Sequence, residues 1–361
     1  MLNIPAAHTQ WLERLDITLV YDFFSSHKDS PYYSGSAPDL LKPVKSNSLN
    51  LMLHPEVEME EMPINWSGLT HLTLSTRRYH FQTISPQGFE ALEWTGMCLS
   101  LLSSCPNIEY CDFQMPRLWS SSEPWQLTDN VTTARIISLP NLRYLKISRI
   151  SEVPLGFASR LELPVLENLT LMCEYTDPEP KEGSQSSLLE FVQRFGPTLL
   201  KSTIHYIDLT QQSLYECLQS LPNVATLRLT GERGCSFSQH AGLTVELLKK
   251  MNGNKRLCPK LQNLALRLGS RDDLTHAVLT DFIIARRSAA RSNSGQSSNA
   301  TLRSLKIKLH GTSDSKFTLR ENLALRRAEI EDLEGFVLTE EFGSRQRPPW
   351  EIRAADPDLN F

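Results

Sequence analysis

The chain lacks any apolar run approaching the roughly 20 residues that a membrane-spanning helix needs. Its opening, MLNIPAAHTQWLERL, has no basic flank leading into an apolar stretch, so a secretory signal is not expected. Neither sign of charge dominates. The 37 Lys+Arg and 41 Asp+Glu residues leave a net charge of −4, which argues against nucleic-acid binding by bulk charge. Trp66, Trp119, Trp125 and Trp350 form no stacking array for single strands. Catalytic signatures are missing too. Gly231-Glu232-Arg233-Gly234 lacks the Lys-Ser/Thr ending of a phosphate-cradling loop, and no Gly-x-Ser-x-Gly elbow occurs.

Cysteine is present, but not as a framework. The seven are Cys98, Cys105, Cys111, Cys173, Cys217, Cys235 and Cys258, an odd number without disulfide spacing. They read as small buried apolar residues in a reducing compartment, cytoplasmic or nuclear. His71 and His80 with Cys98, Cys105 and Cys111 match no metal-ligand spacing, so no metal or cofactor is expected. The acidic run Glu56, Glu58, Glu60 and Glu61 reads as a solvated loop. Arg286, Arg287 and Arg291 suit a helix C-terminus.

What the chain has in quantity is one phrase, Pro-x-Φ-x-x-Φ-x-Φ, with Φ apolar. It occurs at Pro106, Pro140, Pro164, Pro222 and Pro259, and with one imperfect position, Ser202, after Pro197. Two copies without proline use Leu69, Leu72, Leu74 and Leu302, Leu305, Ile307. Chance would supply on the order of one such match. Proline ends the preceding element. The last two Φ residues alternate with polar neighbours, which is the pattern of a strand with one buried face. The segments 87–104, 187–195, 213–221, 244–251 and 274–287 carry apolar residues at helical spacing. Each unit therefore reads as strand, loop and helix, and such units bury their apolar faces only by stacking.

The first Φ positions are 69, 108, 142, 166, 199, 224, 261 and 302, giving steps of 39, 34, 24, 33, 25, 37 and 41 residues. Polar insertions at 174–187 and 288–300 account for long steps and are expected as loops. Leu12, Leu15 and Ile17, and then Leu49, Leu51 and Leu53, suggest degenerate earlier strands, and 321–337 suggests a closing helix. Residues 1–10 are then a short remnant, 11–340 the repeat domain with about eight clear units from 69 to 310, and 341–361 a tail.

LPNLRYLKIS, LPVLENLTL, LPNVATLRL, CPNIEYCDF and CPKLQNLALRL resemble leucine-rich repeats. They are most similar to the irregular repeats of fungal, mushroom-type F-box leucine-rich-repeat proteins. WLERLDITLVYDF is similar to the stretch that follows the F-box there. The resemblance implies an α/β solenoid, a horseshoe with a parallel concave β-sheet and outer helices. It departs from the usual repeat at the ninth position, where Asn or Cys is standard. Here Arg77, Pro116, Ile150, Glu174, Ile207, Glu232, Gly269 and Gly311 stand instead, so irregular curvature is expected.

An F-box would precede residue 10, and no such segment lies within the sequence. Docking to a cullin-ligase adaptor therefore requires one upstream. The function implied is non-catalytic protein–protein recognition, selecting substrates for a cullin-type (F-box) ubiquitin ligase. A free-standing scaffold or inhibitor is the alternative. A GTPase-activating repeat protein is less favoured, because the C-terminal RQRPPWEIRAADPDLNF is of mixed charge.

Strand alternation puts the residues flanking the Φ pair on the expected concave face. Among these 24 positions, three per unit in eight units, Lys146, Lys201, Arg228, Arg267, Lys306 and Lys308 are basic and Asp112 is the single acid. With Tyr144 and His205, these basic residues are the expected contact set for a protein target, acidic or phosphorylated. Neither membrane nor nucleic acid is an expected partner.

Overall fold

The computed structural model describes residues 15–16, 47–53, 64–76, 89–114, 136–150, 156–173, 186–206, 209–231, 242–252, 257–268, 274–292, 300–309 and 336–342. Every Φ-pair becomes a strand. The main sheet holds β1 (Leu15–Asp16), β2 (Ser48–Leu53), β3 (His71–Thr76), β4 (Tyr110–Gln114), β6 (Tyr144–Ile150), β8 (Asn168–Cys173), β9 (Lys201–His205), β10 (Thr226–Thr230), β11 (Asn263–Leu268), β12 (Ser304–Leu309) and β13 (Val337–Phe342). These eleven strands, the first only two residues long, lie side by side in chain order. Each pairs with its neighbour in parallel. The result is an α/β, solenoid-like array with one strand per unit.

The proline has a defined place in each unit. The carbonyl before it accepts the N–H of the first Φ residue three positions on: Cys105 from Ile108, Leu139 from Leu142, Leu163 from Leu166, Gly196 from Leu199 and Cys258 from Leu261, at 3.1–3.3 Å. These are β-turns with proline second, where its fixed φ fits. The next carbonyl contact joins units. Glu109 O accepts from both Arg143 N and Tyr144 N, Arg143 O from Glu167 N and Asn168 N, and Glu167 O from Leu200 N and Lys201 N. The same sharing continues through Leu200, Ala225 and Gln262 to Ser304 N. The asparagine of the Pro-Asn-Φ phrase adds a tie. Asn107 Nδ2 donates to Ser67 O (2.9 Å) and Asn223 Nδ2 to Pro197 O (2.6 Å), each in the preceding unit.

One face of the sheet is covered. Leu72, Leu74, Cys111, Phe113, Leu145, Ile147, Leu169, Leu171, Leu227, Leu229, Leu264, Leu266, Leu305 and Ile307 form one continuous core. Full burial of each such side chain is worth about 1.5–3 kcal/mol. Helices α1 (Phe89–Ser104), α2 (Ser187–Phe195), α3 (Gln211–Gln219), α4 (Val245–Asn252) and α5 (His276–Ser292) run between consecutive strands. They contribute Leu102, Phe191, Leu218, Met251 and Phe282 to the same core. The pre-proline slot is buried in each copy: Cys105, Leu139, Leu163, Leu221 and Cys258. Gly196 occupies it in the imperfect copy for a steric reason. A Cβ there would stand 2.1 Å from Ser220 O and 2.4 Å from Val192 O.

The structure departs from the sequence reading at several points. The short 24-residue step has a 3-10 turn (Ala158–Arg160) and β7 (Leu161–Glu162) where a helix would sit, and β7 pairs with β5 (Ile137–Ser138) in a separate two-stranded sheet. That turn is held from the next return, because Glu190 of α2 accepts from Gly156 N and Ser159 N. Helix α5 runs to Ser292, so 288–292 is not loop. Alanine and arginine favour helix, which the serine-rich composition obscured. Val337 opens β13 rather than closing a helix, and β13 continues to Phe342, past residue 340. The expected loop 174–185 and most of the closing helix lie outside the described residues, as do all but one of the ninth-position residues. Arg286 is 1% exposed. It donates through Nη1 to Met251 O (2.7 Å) and through Nη2 to Cys258 O, so it caps the end of the neighbouring α4 rather than its own helix. Cys258 adopts φ 50°, the left-handed region.

Candidate functional site

The face opposite the helices carries three rows of side chains, one row for each outward position of a strand. The first row begins with three rings. His71 stacks on Tyr110 with centroids 5.7 Å apart, and Tyr110 on Tyr144 at 4.4 Å with the planes 7° apart. Their faces cover one another, so edges rather than faces point outward. Burial, with Tyr144 and Asp112 alongside, pushes the Tyr110 phenol above its ordinary range. Further along the row, Ser304 Oγ donates to Asn263 Oδ1 (2.8 Å) and Asn263 Nδ2 to Thr226 Oγ1 (3.2 Å).

Lys146 stands in the second row, one strand from Asp112. Its Nζ lies 2.8 Å from Asp112 Oδ2, and the two side chains are 14% and 7% exposed. Asp112 Oδ1 is buried without a hydrogen-bond partner. The single acid among the outward positions of β3 to β12 thus neutralises Lys146. The sequence reading ranked Lys146 by charge and omitted its partner. The pairing was open to recognition, because residues 112 and 146 hold the same place in consecutive phrases.

The remaining expected contact residues separate by row. Lys201 is exposed at the head of β9, and Arg228 is half-buried in the second row of β10. Arg267, Lys306 and Lys308 are half-buried and already hold interactions of their own. His205, expected to face solvent, is 4% exposed, so it offers a partner little surface. The third row is closed off elsewhere too, with Ser75, Ser148 and Thr230 buried. Beside His205, Tyr206 reaches past Gly231 to donate to Arg267 O at 3.4 Å, covering that end of β9–β11.

Cys98, Cys105, Cys111, Cys217 and Cys258 are free and buried. Burial pushes Cys105, Cys217 and Cys258 up to about 12, with Arg286 partly offsetting the effect at Cys258. Cys98 and Cys111 are raised as well. None is a thiolate at neutral pH. Among the described residues no group of His, Cys, Asp and Glu is placed to hold a metal ion. No helix among them is long and apolar enough to cross a membrane. No protein-family model matches the chain, and neither does any curated protein.

Proposed function

We propose that the chain is a leucine-rich-repeat horseshoe that holds a protein target on the open face of its sheet and performs no chemistry on it. One observation carries this reading. Consecutive in-register strands present polar, aromatic and basic side chains on the side away from the helices. Helices are about 10 Å wide and strands about 4.8 Å apart, so the helix between each pair of consecutive strands from β8 to β12 favours a bend with the open face inward. Such a face suits an extended or convex protein surface. The resemblance to fungal F-box leucine-rich-repeat proteins supports substrate selection for a cullin-type ubiquitin ligase, with an F-box segment supplying the adaptor contact. The parallel strands in chain order support the solenoid part of that reading.

The test is site-directed photo-cross-linking in fungal extract, with a benzophenone side chain at Thr203 on the open face or at Lys249, exposed on α4. A target captured from Thr203 and not from Lys249 is the expected result. Its ubiquitination should then depend on the cullin adaptor, whereas adaptor-independent capture would favour a free-standing scaffold. Capture from Lys249 alone would overturn the open-face reading.

A further inference from the structure

We infer that the C-terminal half of the open face is a track for an extended acidic protein segment, with carboxylates on alternate residues. The inference rests on the recognition surface proposed above and specifies what that surface takes. The two halves of the face differ in charge. On β3 to β6 its one acid and one base cancel, Asp112 against Lys146. From β8 to β12 the outward positions include no acid, while Lys201, Arg228, Arg267, Lys306 and Lys308 are cationic. The acid-free stretch ends at β13, where Glu341 stands beside Lys308 in the register. Among the described residues, neither Lys201 nor Arg228 is paired with a carboxylate.

Register sets these charges on a diagonal. Lys201 is level with Thr226, and Arg228 lies two residues further along β10. Arg228 is level with Ala265, and Arg267 lies two residues further along β11. Each step is therefore one strand across and two residues along, about 8 Å. Alternate side chains of an extended chain recur every ~6.7 Å, and flexible Lys and Arg stems close the difference. Lys201 to Arg267 spans roughly 16 Å, which suits separate carboxylates better than a single phosphoryl group. Thr203, Thr226 and Ala265 are small, so a backbone can lie along the diagonal. Among the described residues the outward positions from β8 to β12 include no Phe, Tyr or Trp to stack bases, which disfavours a single-stranded nucleic acid.

The experiment is fluorescence anisotropy with the full chain and labelled probes. The alternating peptide is Gly-Glu-Ser-Glu-Ser-Glu-Gly, the block peptide is Gly-Ser-Glu-Glu-Glu-Ser-Gly, and a glutamine version and an oligothymidylate of equal charge complete the set. The alternating peptide should bind several-fold tighter than the block and lose affinity with salt. Lys201→Ser and Arg228→Ser should each weaken it by about two- to five-fold, while Lys249→Ser leaves it unchanged. Equal binding of block and alternating peptides, wild-type affinity in both variants, or tighter binding of the oligothymidylate would each overturn the track. A target that cross-links at Thr203 with no dependence on acidic residues would overturn the track and leave the recognition reading standing.

Discussion

Removing Lys146 should leave a carboxylate stranded inside the open face. At the observed 2.8 Å separation, the attraction between Lys146 and Asp112 is about 6 kcal/mol at an effective dielectric constant near 20, before desolvation is subtracted. Desolvation is large because both side chains are mostly buried. The cost of Lys146→Met therefore comes chiefly from Asp112, whose Oδ1 lacks a donor and whose Oδ2 would lose its ammonium. A loss of about 3 kcal/mol is expected. Asp112→Asn should cost less, about 1 kcal/mol, because the lysine stem can reach water. The double variant should cost about 2 kcal/mol, leaving a coupling of about 2 kcal/mol. Urea unfolding followed by far-UV dichroism gives these differences. Hydrogen exchange at β4 and β6 shows whether the loss is local, as expected of a nearest-neighbour array. A cost below about 0.5 kcal/mol for Lys146→Met, with no coupling, would refute the reasoning, because an exposed pair behaves that way. Affinity for the alternating acidic peptide should survive Lys146→Met, since its charge is already spent on Asp112.

The buried thiols make a pH prediction. Cys105, Cys217 and Cys258 ionise near 9.0 in the open chain and near 12 in the fold, so the unfolded state releases protons first. Their contribution is complete below pH 9 and falls above it, by about 1.4 kcal/mol per pH unit per thiol. Cys217→Ala should reduce that alkaline slope by one thiol's share in urea titrations from pH 8 to pH 11. Ser202→Ala should raise stability by about 1 kcal/mol, because its buried hydroxyl has no partner; an unchanged urea midpoint would count against this. Gly196→Ala should cost about 1–3 kcal/mol by forcing Ser220 and the end of α2 apart. Arg286→Ala should destabilise the fold by about 3 kcal/mol, seen as a lower melting midpoint, by uncapping α4 and the turn at Cys258.

The strands were legible because a Φ pair two apart and a turn proline repeat at every unit. Leu49-x-Leu51-x-Leu53 was readable as β2 even without proline. β13 was hidden, since Val-Leu-Thr-Glu-Glu-Phe lacks the phrase and stands at the sheet edge, where burial imposes less pattern. The β5–β7 pair was hidden as well, because two residues carry no periodicity. On the open face, alternation named the residues that flank each Φ pair, but six of those 24, Ser75, Asp112, Ser148, Thr170, His205 and Thr230, are buried. What the charge count left out was which side chains satisfy one another, although the shared place of residues 112 and 146 in consecutive phrases pointed to one such pair. Asp112 and Lys146 are 34 residues apart in sequence and adjacent only through register. His205 departs from the pattern as well, because it is buried where alternation alone predicts exposure.

The shared carbonyls that link each unit to the next have a consequence for how the chain can change. The starts of the main-sheet strands from β3 to β12 are fixed by two N–H groups sharing one oxygen of the preceding unit, and those of β4, β6, β8, β9 and β11 also by the proline β-turn. Neither device involves the return path. Returns of 24 and of 41 residues therefore deliver their strands to the sheet in the same register. A duplicated or deleted unit, cut at its proline, would rejoin its neighbours through identical main-chain contacts. The array can thus change length by recombination without relearning how to pair, while outward side chains vary independently.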